Sequence, residues 1–133
     1  MGKFSDRYKT DHSLEENGVE IDMGEGISFT IRSITSEKSK EVRRKLEKPY
    51  ARMIRSNSLP DSVQEEITKK QLAYGVLIGW KGVEDPDGNL LEFSPENALK
   101  VFGWYKHFLG DVITAVTERE TFKSEDREAA VKN

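Results

Sequence analysis

The chain is 133 residues long and carries 21 Lys and Arg against 24 Asp and Glu, with no cysteine. That length fits one domain, and the missing thiols exclude a disulfide scaffold, a thiolate nucleophile and a Cys-based zinc site. No apolar run approaches the roughly 20 residues that span a bilayer, and the N-terminus has no signal-peptide core. Leu, Ile, Val and Phe number 32, and 28 of them fall within residues 19–116. The expected organisation is therefore a disordered segment over 1–18, one folded α+β domain over 19–116, and a disordered polar tail over 117–133. Within that domain helices are expected to dominate, with one or two short β-hairpins.

The first element is a hairpin. Val19-Glu20-Ile21-Asp22-Met23 alternates, Gly24-Glu25-Gly26 supplies the turn, and Ile27-Ser28-Phe29-Thr30-Ile31-Arg32 alternates again. Thr35 or Ser36 then caps a helix starting near Glu37, with Val42, Leu46 and later Met53 and Ile54 on its apolar side. Pro49 predicts a kink or split near residue 48, because proline removes a backbone donor and clashes one turn back. Pro60 opens the next helix, expected over 60–78 with Val63, Ile67, Tyr74 and Ile78 as its stripe. Asp85-Pro86-Asp87-Gly88-Asn89 is a turn between two short apolar segments, which predicts a second hairpin, and Trp80 just before it reads as a core anchor. Ser94-Pro95-Glu96 starts a further helix over 95–109, ended or broken by Gly110.

Three stretches could carry chemistry. Residues 85–96 place acidic or amide groups at positions 1, 3, 5 and 12 of a calcium loop, but Leu90 stands where the sharp turn needs Gly, so turn chemistry is the better account. Between residues 36 and 56, eight cations face three anions, and Lys40, Arg44 and Lys48 form a stripe opposite Val42 and Leu46. That stripe is a solvated face or a surface for an acidic protein. In the 95–109 helix, Val101, Trp104 and Phe108 line up beside a second stripe of Ala98, Phe102, Tyr105 and Leu109. Either both are core, or the first is an exposed patch for self-association or an apolar client. No arrangement of His12, His107 or the carboxylates suggests catalysis, and neither cofactor nor metal is expected.

The elements Gly79-Trp80-Lys81-Gly82-Val83, Asp85-Pro86-Asp87-Gly88-Asn89-Leu90-Leu91 and Phe93-Ser94-Pro95-Glu96-Asn97-Ala98 resemble the tail assembly chaperones of siphophages, over residues 72–116. The resemblance implies a non-enzymatic assembly factor that coats the tape-measure protein, keeps it soluble and helps recruit the tail-tube protein. It also implies a place in the cytoplasm of the infected bacterial host and absence from the mature virion. Such chaperones often occur in short and frameshifted long forms, and this chain would be the short one. The wheel alone nominates Val101, Trp104 and Phe108 for apolar contacts, and Arg44, Lys48 and Arg52 for acidic segments. Neither membrane nor nucleic acid is expected as a partner. Two other readings stay open: a small structural virion protein of the tail or head–tail connector, and a nucleic-acid-binding regulator using the basic stretch.

Overall fold

The computed structural model describes residues 2–123. It is an α+β fold dominated by short helices, as the sequence predicts, and its strands form one three-stranded antiparallel sheet. Strands β1 (Val19–Gly24) and β2 (Ile27–Ile31) form the expected hairpin, with Val19 opposite Ile31 and Ile21 opposite Phe29. Gly24, Glu25 and Gly26 all take positive φ at its tip, which the two glycines adopt at little cost. Strand β3 (Leu77–Lys81) pairs with the other edge of β2, placing Trp80 opposite Phe29 and Leu77 opposite Ile31. The central position of β2 explains why Phe29 and Ile31 are completely buried.

Two helices precede the sheet, α1 (Lys3–Tyr8) and α2 (His12–Asn17). The sequence expectation of disorder over 1–18 is corrected here. Asp11 caps α2 by accepting from the Leu14 N–H, and Leu14 packs on the core. The segment is also tied at a distance: the Asp11 N–H donates to the Phe122 carbonyl (2.8 Å), and Ser33 N–H donates to the Glu15 carbonyl (2.9 Å). Few apolar residues suffice because the backbone supplies the attachment.

Helix α3 (Glu37–Glu47) starts where expected, with the Ser36 hydroxyl accepting from the Ser39 N–H. Pro49 splits the helical path through a 3-10 turn over Lys48–Tyr50 before α4 (Ala51–Arg55). Helix α5 (Asp61–Gln71) is shorter than the pattern predicts. It passes into a π-helical turn over Leu72–Val76, and the residues expected to finish the helix become β3. The π-turn lets Leu72, Ala73, Gly75 and Val76 all be buried, while Tyr74 points outward. Gly75 permits the close approach of α3: a Cβ there would lie 3.0 Å from the Ser39 Cα. Beside it the buried Gln71 amide donates to the Ser39 hydroxyl (2.9 Å) and its carbonyl accepts from Arg43 (3.0 Å).

The second hairpin is not formed. Val83–Leu91 is a loop with one isolated bridge between Glu84 and Leu90, and the strand before it joins β2 instead. Helix α6 (Pro95–Trp104) begins with the predicted Ser94 cap, whose hydroxyl accepts from the Asn97 N–H. It stops at Tyr105, whose extended backbone (φ −129°, ψ 87°) separates it from α7 (Lys106–Thr117). Gly110, the expected stop, lies inside α7. After α7 a 3-10 turn over Arg119–Phe122 buries Phe122, within the stretch expected to be a polar tail. Residues 124–133 of that tail lie outside the described residues. No helix among the described residues is long and apolar enough to cross a membrane.

The core joins Phe29 and Ile31 of the sheet to Leu72, Ala73 and Val76 of the π-turn, Ala98 and Phe102 of α6, and Val112 and Val116 of α7. Phe108 meets Phe29 edge-on at 5.6 Å, lies 5.9 Å from Phe102, and touches Trp80 at 6.2 Å. Truncating it to alanine is expected to cost about 3 kcal/mol, measured by urea denaturation. A change below about 0.5 kcal/mol would mean that the aromatic junction is dispensable. The two glycines around Trp80 should differ. Gly82 has φ +72°, and a Cβ there would sit 2.6 Å from the Gly26 carbonyl oxygen, whereas a Cβ on Gly79 meets nothing within 4 Å. Gly82→Ala should therefore lose about 1–3 kcal/mol while Gly79→Ala is neutral or slightly stabilising, a contrast that thermal unfolding of the two variants checks.

Candidate functional site

The six residues nominated from the sequence fall into three environments. Val101 is 1% exposed and belongs to the interior. Phe108 is half-buried in the aromatic junction, held between the sheet and α6. Trp104 is 43% exposed, and Tyr105 beside it is also exposed. The expected stripe of Val101, Trp104 and Phe108 is thus not one surface. The break at Tyr105 changes the direction of the chain, so Phe108 returns to the core while Trp104 and Tyr105 occupy the outer corner between α6 and α7. The corner's backbone is held by the Tyr105 N–H donating to the Val101 carbonyl (2.8 Å) and by the Phe108 N–H donating to the Tyr105 carbonyl (3.1 Å).

Arg44, Lys48 and Arg52 are all exposed along α3, the 3-10 turn and α4. They follow one another at four-residue spacing, one on each successive turn. Arg43, next to them, serves the fold instead: its guanidinium donates to Glu47 (2.7 Å) and to Gln71. Met53 and Ile54 lie exposed on α4. Sequence reasoning placed these two on an apolar side and so missed them as surface, because the Pro49 split turns α4 away from the face that α3 buries.

The 85–96 stretch is a turn. The Asp85 carboxylate accepts from the N–H groups of Asp87 (2.9 Å) and Asn89 (3.0 Å), which is what its oxygens are used for. Among the described residues no group of three or more His, Cys, Asp or Glu is placed to hold a metal ion. Trp80 anchors the loop, as its sequence position predicts: its indole N–H donates to the Leu91 carbonyl (2.8 Å) and its ring meets Phe93 edge-on at 5.1 Å. Leu90 projects from this held loop and is 76% exposed. The hydrophobic pattern gave Leu90 and Leu91 to a strand, so this exposure had no signal beyond the adjacent Asp-Gly-Asn turn.

The Ser28 hydroxyl donates to Glu20 (2.8 Å), and with the Lys81 ammonium nearby it holds that carboxyl below the usual range. Hydrogen bonding and charge from Lys45 lower Glu41 in the same way. Partial burial, then the neighbouring Glu96 carboxylate, raise the Tyr74 phenol. All three are surface side chains accounted for by local pairing, and His12 and His107 are exposed.

The surfaces available for function are thus an aromatic corner at Trp104 and Tyr105, a basic arm along α3 and α4, and an acidic loop crowned by Leu90. No curated protein and no solved structure matches this chain. The family model described as YdaY prophage protein matches residues 34–133, which takes in the basic arm, the acidic loop and the aromatic corner. With well over half of its length matched, the chain is phage-derived and belongs to the YdaY prophage protein family.

Proposed function

We propose that this prophage protein is a tail assembly chaperone. It binds the tape-measure protein reversibly, keeps it soluble and helps recruit tail-tube subunits in the cytoplasm of the infected bacterial host. It does so without catalysis and leaves before the virion is finished. The observation that carries the reading is the Trp104–Tyr105 corner, a pair of exposed aromatic residues on a rigid base of buried Val101 and Phe102. It lies within residues 72–116, whose motifs resemble that chaperone family.

The physical logic is that of a coat. A tape-measure chain is long and largely helical, and apolar stripes on bare helices aggregate. An exposed tryptophan beside a tyrosine supplies flat apolar area with polar edges, the residue types that dominate binding energy at protein surfaces. One such contact is weak, but many copies bound along one client gain avidity from repetition. A reversible coat also needs each contact to be modest, and a two-residue corner satisfies that.

Co-expression with the tape-measure protein of the same prophage should bring that protein into the soluble fraction, with many copies of this chain in the pull-down. A tape measure that stays insoluble and unbound removes the proposal. Trp104→Asp should keep the unfolding midpoint within a few degrees and cut client recovery about tenfold or more, the loss expected for an interface anchor worth roughly 2 kcal/mol. Val101→Asp should instead unfold the chain, because it buries a charge. Unfolding of the Trp104 variant, or unchanged client recovery, would move the contact elsewhere.

A further inference from the structure

The α3–α4 arm holds more positive charge than its own carboxylates use. Glu37 pairs with Lys40, Glu41 with Lys45 and Glu47 with Arg43. All three anions between residues 36 and 56 are thereby taken. Lys38, Arg44, Lys48, Arg52 and Arg55 are left exposed, and none of them forms an ion pair among the described residues. Residues 82–99 show the converse: five carboxylates and no lysine or arginine. Asp85 is turned onto its own loop and Glu96 accepts from the Tyr74 hydroxyl. Glu84, Asp87 and Glu92 remain exposed and unpaired among the described residues.

Each charged surface also carries an apolar centre. Arg52 and Arg55 bracket Met53 (44% exposed) and Ile54 (39% exposed), while Asp87 and Glu92 flank Leu90. The loop presenting Leu90 is preorganised, which lowers the entropic cost of docking. Trp80 holds it through the Leu91 carbonyl, the Leu91 N–H donates to the Val83 carbonyl (2.9 Å), and the Asp85 N–H donates to the Asn89 carbonyl (2.9 Å). An apolar contact inside a rim of opposite charges is the usual anatomy of a specific protein interface.

We propose that the 84–92 loop of one copy docks on the α4 surface of a second copy of this chain. Leu90 sits against Met53 and Ile54, and Glu84, Asp87 and Glu92 face Lys48, Arg52 and Arg55. The matching charge and matching apolar centre on one and the same chain favour a second copy over nucleic acid, for which the arm offers no interleaved aromatic platform. The two surfaces are different, so the contact is heterologous. In a docked pair one copy is left with a free arm and the other with a free loop, so further copies join head to tail into a ring or an open filament. This assembly goes beyond the proposed function and needs no client to be observed.

Sedimentation velocity of the purified full chain tests it. At low ionic strength and about 100 μM, the weight-average mass should at least double from 15.2 kDa and return to that of the monomer near 1 M salt, where screening reaches within about 3 Å. Two charge-reversed variants, Arg52→Glu with Arg55→Glu and Glu84→Lys with Asp87→Lys, should each be monomeric alone at low salt and retain the wild-type circular dichroism spectrum. Mixed in equal amounts they should associate again, since each then offers the charge that the other lacks. Leu90→Ser should weaken wild-type association without changing any charge. A wild type that stays monomeric, association that survives in either reversed variant, or a mixture that stays monomeric would overturn the proposal. So would a monomeric wild type whose Arg52 and Arg55 instead retain a DNA or RNA duplex in a mobility-shift titration.

Discussion

The packing of Phe108 against Phe29, Trp80 and Phe102 is the junction on which the rest of the molecule depends. It brings together the central strand, the edge strand and α6 through a residue of α7. Edge-on aromatic contacts fix orientation as well as area, so they determine how α7 must run relative to the sheet. A continuous helix over 95–117 would set Phe102 and Val116 about 21 Å apart along its axis at 1.5 Å per residue, too far to share one small core. The backbone therefore opens at Tyr105. The exposure of Trp104 follows from the burial of Phe108: the turn that returns one aromatic to the core leaves the preceding one outside.

A second constraint orients the basic arm. Gly75 lets α3 approach the π-turn closely, and the Ser39–Gln71–Arg43 hydrogen bonds lock that contact in a polar register. A buried amide with both ends satisfied is costly to misplace, so α3 has one seat on the fold. Pro49 then turns α4 off that seat, and the cations beyond it stand clear of the core. The aromatic corner, the arm and the loop are thus each attached to a rigid body by a different device: a backbone break, a proline and an indole hydrogen bond. The proposed client contact and the proposed contact between copies use separate surfaces, which allows a chain to hold both at once.

Much of the fold was legible because local signals agreed with the final structure. The Gly24-Glu25-Gly26 turn between two alternating segments specified the hairpin, Ser36 and Ser94 marked true helix starts, and Pro49 split the path where expected. The π-turn was not legible, since Leu72, Ala73 and Val76 suit an α-helix equally well and only packing against α3 selects the wider turn. Nor was β3: Leu77 and Ile78 continue a helical apolar pattern, and their identity as part of a strand comes from the pairing of residues 77–81 with β2 far earlier in the chain. The site was legible by residue type but not by exposure. Trp104 and Val101 differ in burial because α6 ends at Tyr105, whereas the sequence offered Gly110 as the residue that breaks or ends it. The N-terminal helices escaped notice because their attachment is made by backbone groups, which a hydrophobic pattern does not report.

That attachment links the two ends of the described chain. Besides the bond from Asp11 to the Phe122 carbonyl, the Lys123 ammonium donates to the Asp6 carbonyl (3.0 Å) across a separation of 117 residues. A contact of that span closes a loop that takes in nearly all the described residues, so its entropy cost is met only after the intervening core has formed. During synthesis on the ribosome, α1 and α2 emerge well before residues 119–123 and cannot take their final position until those have been made. Until then Leu14, whose place is against the core, stays undocked.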